Sequence, residues 1–177
     1  MDDSKQKNGL LFSVFDFIEA AVFSLVCVAI LFTFVFRTVS VDGGSMTPTL
    51  SNADRLILTH LFYTPRRGDI VVISRLETKE EPLIKRVIAV AGDTVQITAD
   101  GKVYLNGELL EEPYISVKTP AFGATDPITI EEGYIFVMGD NRTVSKDSRL
   151  LGPIPVSKVM GKAVFRLWPA FGGIYAE

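Results

Sequence analysis

Three stretches of this chain set reactive side chains beside glycine in otherwise apolar surroundings. The first, Gly43-Gly44-Ser45-Met46-Thr47-Pro48-Thr49-Leu50, puts a serine after two glycines. Glycines let the backbone approach a substrate closely and leave its amides unshielded, and Pro48 constrains the exit of the turn. A solvated loop would also place a serine beside glycine. The second stretch runs from Pro82 to Asp93 and contains Lys85-Arg86. On a strand Lys85 shares a face with Leu83, Val87 and Ala89, and Arg86 shares the other with Ile84, Ile88 and Val90. An ammonium on an apolar face is penalised by desolvation, which lowers its pKa toward what a lysine general base requires. An edge strand, with Lys85 reaching out to water along its own stem, fits the same pattern. The third stretch, Gly139 to Arg149, leaves the apolar run Tyr134–Met138 and is dense in small hydrogen-bonding and charged residues, the composition of an ordered polar network.

Composition removes the competing chemistries. One cysteine, Cys27, allows neither an intrachain disulfide nor a cysteine zinc cluster, and one histidine, His60, excludes multi-histidine metal sites. His60 also lies outside all three stretches, which argues against a Ser-His-Asp triad, and Cys27 sits inside an apolar run. No spacing supports paired carboxylates. Eighteen Lys and Arg against 21 Asp and Glu, net charge −3, give no basic footprint for nucleic acid. A serine activated by a lysine is the one scheme that uses the residues singled out.

These residues need a frame, and the pattern after Arg37 is that of strands. Short β-rich runs recur at Arg55–Phe62, Asp69–Leu76, Leu83–Val90, Thr94–Thr98, Lys102–Leu105, Tyr134–Met138 and Lys158–Trp168, punctuated by Gly-Asp, Asp-Gly and Asn-Gly turns. Asp100-Gly101 predicts a type I′ hairpin, and the proline-bearing stretch Pro113–Pro127 predicts a longer loop. The expectation is one mostly β domain, a partly closed sheet or barrel, over residues 37–177.

Ahead of it, Ala20 to Phe36 carries no charged side chain. Extended back through Phe17, this run meets the roughly 20 residues that a membrane-spanning helix needs. No small-x-small cleavage site follows it, so the reading is an uncleaved signal-anchor helix over 17–36. Lys5 and Lys7 against Arg37 alone place the tail, 1–16, in the cytoplasm and the β domain outside.

The chain resembles the bacterial type I signal peptidases, membrane-anchored Ser/Lys endopeptidases. Ser45 to Leu50 resembles their nucleophile box and Arg67-Gly68-Asp69-Ile70-Val71-Val72 the strand box after it. Lys85-Arg86 with Gly92-Asp93 resembles the general-base box, and Gly139-Asp140-Asn141-Arg142 through Ser145, Asp147, Ser148, Arg149 and Gly152 the last. The resemblance implies Ser45 as nucleophile and Lys85 as general base. It implies that Ser145 orients the Lys85 amine with support from Asp147 and Arg149, and that Arg86 and Asp140 form a structural pair. It further implies a mostly β catalytic domain on the outer face of the cell membrane, needing no cofactor or metal. Its partners would be membrane lipid and the signal peptides of secreted preproteins, cut after small residues.

The chain departs from the family pattern in places. Gly43 stands where many relatives have a serine that helps hold the oxyanion, which leaves the Ser45 amide and an unidentified second donor. Ala89 and Ala91 replace a glycine and a proline, and Val144 an asparagine. The short chain fits the compact Gram-positive type. Two other readings share parts of the pattern. A self-cleaving repressor on a related fold has the dyad without the apolar span, and a tethered binding module would carry the dyad residues incidentally.

Overall fold

Alternating and continuous runs of Val, Ile and Leu, interrupted by Gly, Asn and Asp, build strands rather than helices after Arg37. The structure is a computed structural model that describes residues 15–30, 36–74, 82–120 and 126–174. The chain divides into two compact units, Met1–Arg37 and Thr38–Glu177.

In the first unit the described residues 15–30 form one helix, α1. Its large apolar side chains, Phe15, Phe17, Phe23 and Leu25 among them, are exposed. No helix among the described residues is long and apolar enough to cross a membrane. Residues 31–35, part of the span expected from the sequence, lie outside the described residues, as do Lys5 and Lys7, on which the expected orientation rests. Phe36, expected to end the span, instead opens a strand.

The second unit is mostly β. Its strands are β1 (Phe36–Ser40, whose first two residues belong to the first unit), β2 (Arg55–Thr59), β3 (Ile70–Ile73), β4 (Leu83–Val90), β5 (Thr94–Ile97), β6 (Val103–Leu105), β7 (Glu108–Leu109), β8 (Ile128–Thr129), β9 (Tyr134–Met138), β10 (Ile154–Pro155), β11 (Val159–Trp168) and β12 (Gly172–Gly173). They make an eight-stranded sheet in the order β1-β2-β11-β3-β4-β9-β10, with β12 on β11, and a four-stranded sheet in the order β7-β6-β5-β8. The runs Leu83–Val90 and Tyr134–Met138 form as read from the sequence. β1 was not anticipated, because Phe36 closes the apolar run and Arg37-Thr38-Val39-Ser40 is too short and polar to read as a strand, and the two-residue strands β7, β8, β10 and β12 are too short to leave a pattern.

The middle of the large sheet is buried on both faces. Val71, Ile73, Leu83, Val87, Ile135, Val137 and Ile154 pack together. Their neighbours Ile70, Val72 and Ile84 pack in a second cluster with Met46, Leu50, Leu56 and Leu58. Ile88, Ala89, Phe136 and Met138 join Val95, Ile97 and Val103 of the small sheet in a third. A bulge refines the expected faces of β4. Val87 pairs with Val137, but the next pair is Ala89 with Phe136. The extra residue resets the alternation, so Ala89 packs with Ile88 and not on the face of Leu83 and Val87.

The hairpin turns also differ from expectation. At 98–102 only Gly101 has a positive φ, 79°, and its amide donates to the Thr98 carbonyl. That is a three-residue loop closed by a left-handed glycine, not a type I′ turn. Two consecutive positive φ angles occur instead at Asn106 and Gly107, which join β6 to β7. A Cβ on Gly101 would overlap the Thr119 carbonyl. Gly101→Val is therefore expected to cost at least about 1–2 kcal/mol from left-handed backbone alone, read as a lower denaturant midpoint with an unchanged m-value.

Candidate active site

The turn that carries Ser45 is held from both ends by its own sequence. Gly43 takes φ 82°, open to glycine, and its amide donates to Asn52 Oδ1 at 2.9 Å. Met46 and Leu50 bury their side chains in the core beneath, and the Leu50 amide donates to the Met46 carbonyl at 3.0 Å. Apolar residues thus pin the turn while Ser45 stays half-buried at its surface.

Lys85 lies on β4, which is paired on both sides, with β3 through Val71↔Lys85 and with β9 from Arg86↔Met138 onward. It is only 2% exposed, so the edge-strand reading of Lys85 does not describe this chain. Its Nζ donates to Ser45 Oγ at 2.8 Å and to the Ile84 carbonyl at 2.8 Å. An amine and a hydroxyl at that distance can pass a proton between them once the amine is neutral. Both line a cleft of about 410 Å³ whose walls include Val39, Val41, Met46, Leu83, Ile84, Val144 and Lys146.

Arg86, one residue on, points to the opposite side of the sheet. Its Nε and Nη2 grip the Asp140 carboxylate at 2.9 and 2.7 Å, and its Nη1 donates to the Gly68 carbonyl at 3.0 Å. Thr49 of the serine turn donates its hydroxyl to the same carboxylate. Asp140 is fully buried, where a carboxylate is tolerated only when paired.

The last polar stretch folds into a tight loop and the short helix α2 (Ser148–Leu151). Asp147 caps α2, accepts the Gly139 amide at 2.9 Å and takes a bidentate grip from Arg149 at 2.8 and 2.9 Å. Burial pushes the Asp147 carboxyl up, but the hydrogen bonds and charge of Arg149, with the Gly139 amide, outweigh it and hold the group below its ordinary value. A Cβ on Gly139 would overlap both Ser145 Oγ and the Ser45 carbonyl oxygen, so glycine here is what lets the two loops touch.

The expected contact of Ser145 with the Lys85 amine is not formed in this structure. Ser145 Oγ makes no hydrogen bond to the Lys85 amine, whose Nζ donates to the Ile84 carbonyl; the buried hydroxyl lies against Gly139 and helps hold the Asp147 carboxyl low. Three contributors escaped the sequence reading. Thr49 shares Asp140 with Arg86. Glu112 forms a buried bidentate pair with Arg142, whose Nε donates to the Gly139 carbonyl at 3.0 Å. Asn141 bonds the serine turn itself. Glu112 had no signal, being one acid among many beside a prolyl loop; Asn141 stood in a stretch already marked as polar. Among the described residues no group of three or more His, Cys, Asp and Glu could hold a metal ion.

Residues 14–168 match the family model for signal peptidase, peptidase S26. The chain is 37% identical to the signal peptidase I of Bacillus licheniformis, covering 89% of this chain and 90% of that one. It is 40% identical to the signal peptidase I of Leptolyngbya laminosa, over 77% and 71% of the two. With the chloroplastic thylakoidal processing peptidase 1 of Arabidopsis thaliana it shares 35% identity over 95% of this chain, spanning 54% of that relative's length. A crystal structure of a signal peptidase I from Enterococcus faecalis V583 is 29% identical and aligns with TM-score 0.47 over 56% of this chain and 97% of that one. The chain belongs to the signal peptidase family, peptidase S26. Membership makes it an enzyme, a hydrolase of peptide bonds.

The Asp147 carboxyl generates a stability prediction. Its folded pKa lies below the ordinary 3.8, so its contribution is complete above that value and is lost as pH falls through the depressed one. Asp147→Asn leaves the Arg149 charge buried without its partner and should lose about 3–5 kcal/mol at neutral pH. Denaturant midpoints between pH 6 and 2 should fall more steeply for the wild type than for the variant.

Proposed function

We propose that this chain removes signal peptides from exported preproteins, with Ser45 as nucleophile and Lys85 as general base. The observation that carries this reading is the 2.8 Å contact between Lys85 Nζ and Ser45 Oγ at the floor of an open cleft, with the lysine buried on a central strand. Burial strips the ammonium of its water and favours the neutral amine, the form able to accept a proton. Ser45 Oγ attacks the scissile carbonyl carbon as its proton passes to Lys85 Nζ, and the carbonyl electron pair moves onto oxygen. Collapse of that intermediate breaks the C–N bond, Lys85 gives its proton to the leaving amine, and an acyl-enzyme remains. Lys85 then takes a proton from water as the water oxygen adds to the acyl carbon; collapse breaks the ester bond, Lys85 returns the proton to Ser45 Oγ, and the signal peptide leaves with a free carboxyl end. The Ser45 amide is an oxyanion donor in this scheme.

The supporting residues act through position. Arg86 and Asp140 hold β4 to the exit of β9, and Asp147 and Arg149 hold the Gly139 amide and the Ser145 loop. Ser145 is placed to fill the gap above Gly139 rather than to bond the resting amine. A cut after small side chains is carried over from the family resemblance, and apolar walls, Val39, Val41, Leu83 and Ile84, line the cleft. The uncharged run from Ala20 to Phe36 and the exposed apolar face of α1 support an anchor over 17–36, with the tail 1–16 inside and the catalytic domain 37–177 outside a cell membrane.

Purified Ser45→Ala and Lys85→Ala should each lose preprotein cleavage by a factor on the order of 10⁴ or more while remaining folded. Wild-type activity should fall on acidification, because protonation removes the base. Lys85→Arg, whose guanidinium does not deprotonate in a protein, should be inactive across the accessible pH range. Cleavage by Lys85→Arg, or wild-type activity undiminished several units below neutrality, would show that the proton goes elsewhere. Topology is checked separately: protease added to intact spheroplasts should digest the catalytic domain, and protection until lysis would reverse the orientation.

A further inference from the structure

The peptide plane between Gly44 and Ser45 has an unusual freedom and an unusual restraint. Gly43 and Gly44 precede it, and glycine backbone rotates with little steric penalty. That plane is trans; the cis bonds among the described residues are at Thr47-Pro48 and Trp168-Pro169. In a trans peptide the carbonyl and the N–H point in opposite directions. Whatever fixes the Gly44 oxygen therefore aims the Ser45 N–H the other way. No hydrogen bond among the described residues engages that N–H.

The Gly44 oxygen accepts the Asn141 side-chain amide at 3.1 Å and, at 3.3 Å, the Thr47 amide. The Asn141 main-chain amide donates to the next carbonyl along, Ser45 O, at 3.0 Å. One residue of the β9 exit thus holds both carbonyls flanking Ser45, one through its main chain and one through its side chain. The side chain is held in turn: the Thr143 hydroxyl donates to Asn141 Oδ1 at 3.0 Å, which leaves Nδ2 facing the Gly44 oxygen. Loop 141–145 closes beneath it, with the Val144 and Ser145 amides both donating to the Asn141 carbonyl.

We infer that Asn141 is a positioning residue for the oxyanion donor, clamping the Gly44 carbonyl so that the Ser45 N–H points into the cleft. The inference rests on the reading of Ser45 as nucleophile. With glycine at position 43 there is no side-chain hydroxyl there, so the direction of this amide carries more of the transition-state stabilisation. Because the main-chain bond to Ser45 O survives any substitution at 141, removing the side chain leaves this one plane held only by the longer Thr47 bond while the turn stays attached.

The test compares wild type, Asn141→Ala, Asn141→Asp, Thr143→Val and Ser45→Ala in purified full-length form on one preprotein. Loss of an oxyanion donor costs about 10²–10³ in kcat, and misdirecting one should cost part of that. Asn141→Ala should lower kcat by about 10- to 100-fold with KM within about threefold and Tm nearly unchanged. Asn141→Asp keeps the acceptor for Thr143 but not the donor, and should not rescue. Thr143→Val removes only the restraint on the amide and should show a smaller fall of the same kind, keeping the test open should Asn141→Ala not fold. A peptide aldehyde adds a second readout: Ser45 Oγ bonds to its carbon, the serine proton leaves through Lys85 to the former carbonyl oxygen, and that oxygen needs the donor. Its affinity should weaken in step with kcat, whereas uncleaved preprotein should bind Ser45→Ala and Ser45→Ala/Asn141→Ala alike. Unchanged kcat and aldehyde affinity in Asn141→Ala, with Ser45→Ala inactive, would overturn the inference alone, as would a fall in kcat matched by losses of Tm and preprotein binding. Activity in Ser45→Ala would overturn the nucleophile assignment and the inference with it.

Discussion

Two basic side chains, Lys85 and Arg86, sit side by side on a buried central strand, and the rest of the structure is arranged to satisfy them. A lysine or arginine taken from water is tolerated only with close acceptors. Because Lys85 and Arg86 are neighbours on a strand, they need acceptors on opposite faces of the sheet. The Lys85 amine meets Ser45 Oγ and the Ile84 carbonyl, and Arg86 meets Asp140 and the Gly68 carbonyl. The serine turn serves both sides, offering Ser45 to the lysine and Thr49 to the Arg86–Asp140 pair. Its place is therefore set by charge satisfaction as much as by the apolar anchors Met46 and Leu50.

The exit of β9 is the second organising point. Four consecutive residues there each take a different job. The Gly139 amide is bound by Asp147 and its carbonyl by Arg142, Asp140 balances Arg86, Asn141 bonds the serine turn, and Arg142 pairs with Glu112. Small side chains and main-chain groups dominate these contacts because two loops must approach closely, and at Gly139 there is no room for a methyl group. The Glu112–Arg142 pair, joined by Thr119, ties the long connection between β7 and β8 of the small sheet to the same point. Such a densely bonded network favours one arrangement of the site over its alternatives.

Much of this was legible in the residue pattern. The strands that hold the site, Leu83–Val90 and Tyr134–Met138, are long apolar runs bounded by turn signals, which local preference and hydrophobic burial together specify. The opposed faces of Lys85 and Arg86 follow from the two-residue period. The single histidine, the single cysteine and the three glycine-flanked polar stretches narrow the chemistry to a serine and a lysine from sequence alone.

Other features depend on which segments meet in space. The pattern allowed Lys85 to sit on an edge strand; only the pairing of β4 with both β3 and β9 removed that alternative. The bulge that turns Ala89 away from the face of Leu83 and Val87 is a mismatch between two strands, and neither strand encodes it alone. Ser145 packs its side chain against Gly139, and Asn141 reaches back across 97 residues to Gly44. Local sequence determines what each segment prefers, because backbone sterics and burial period act over a few residues. Hydrogen-bond partners far apart in the chain are decided only by the tertiary fold, because a buried donor takes whichever acceptor the packing brings within reach.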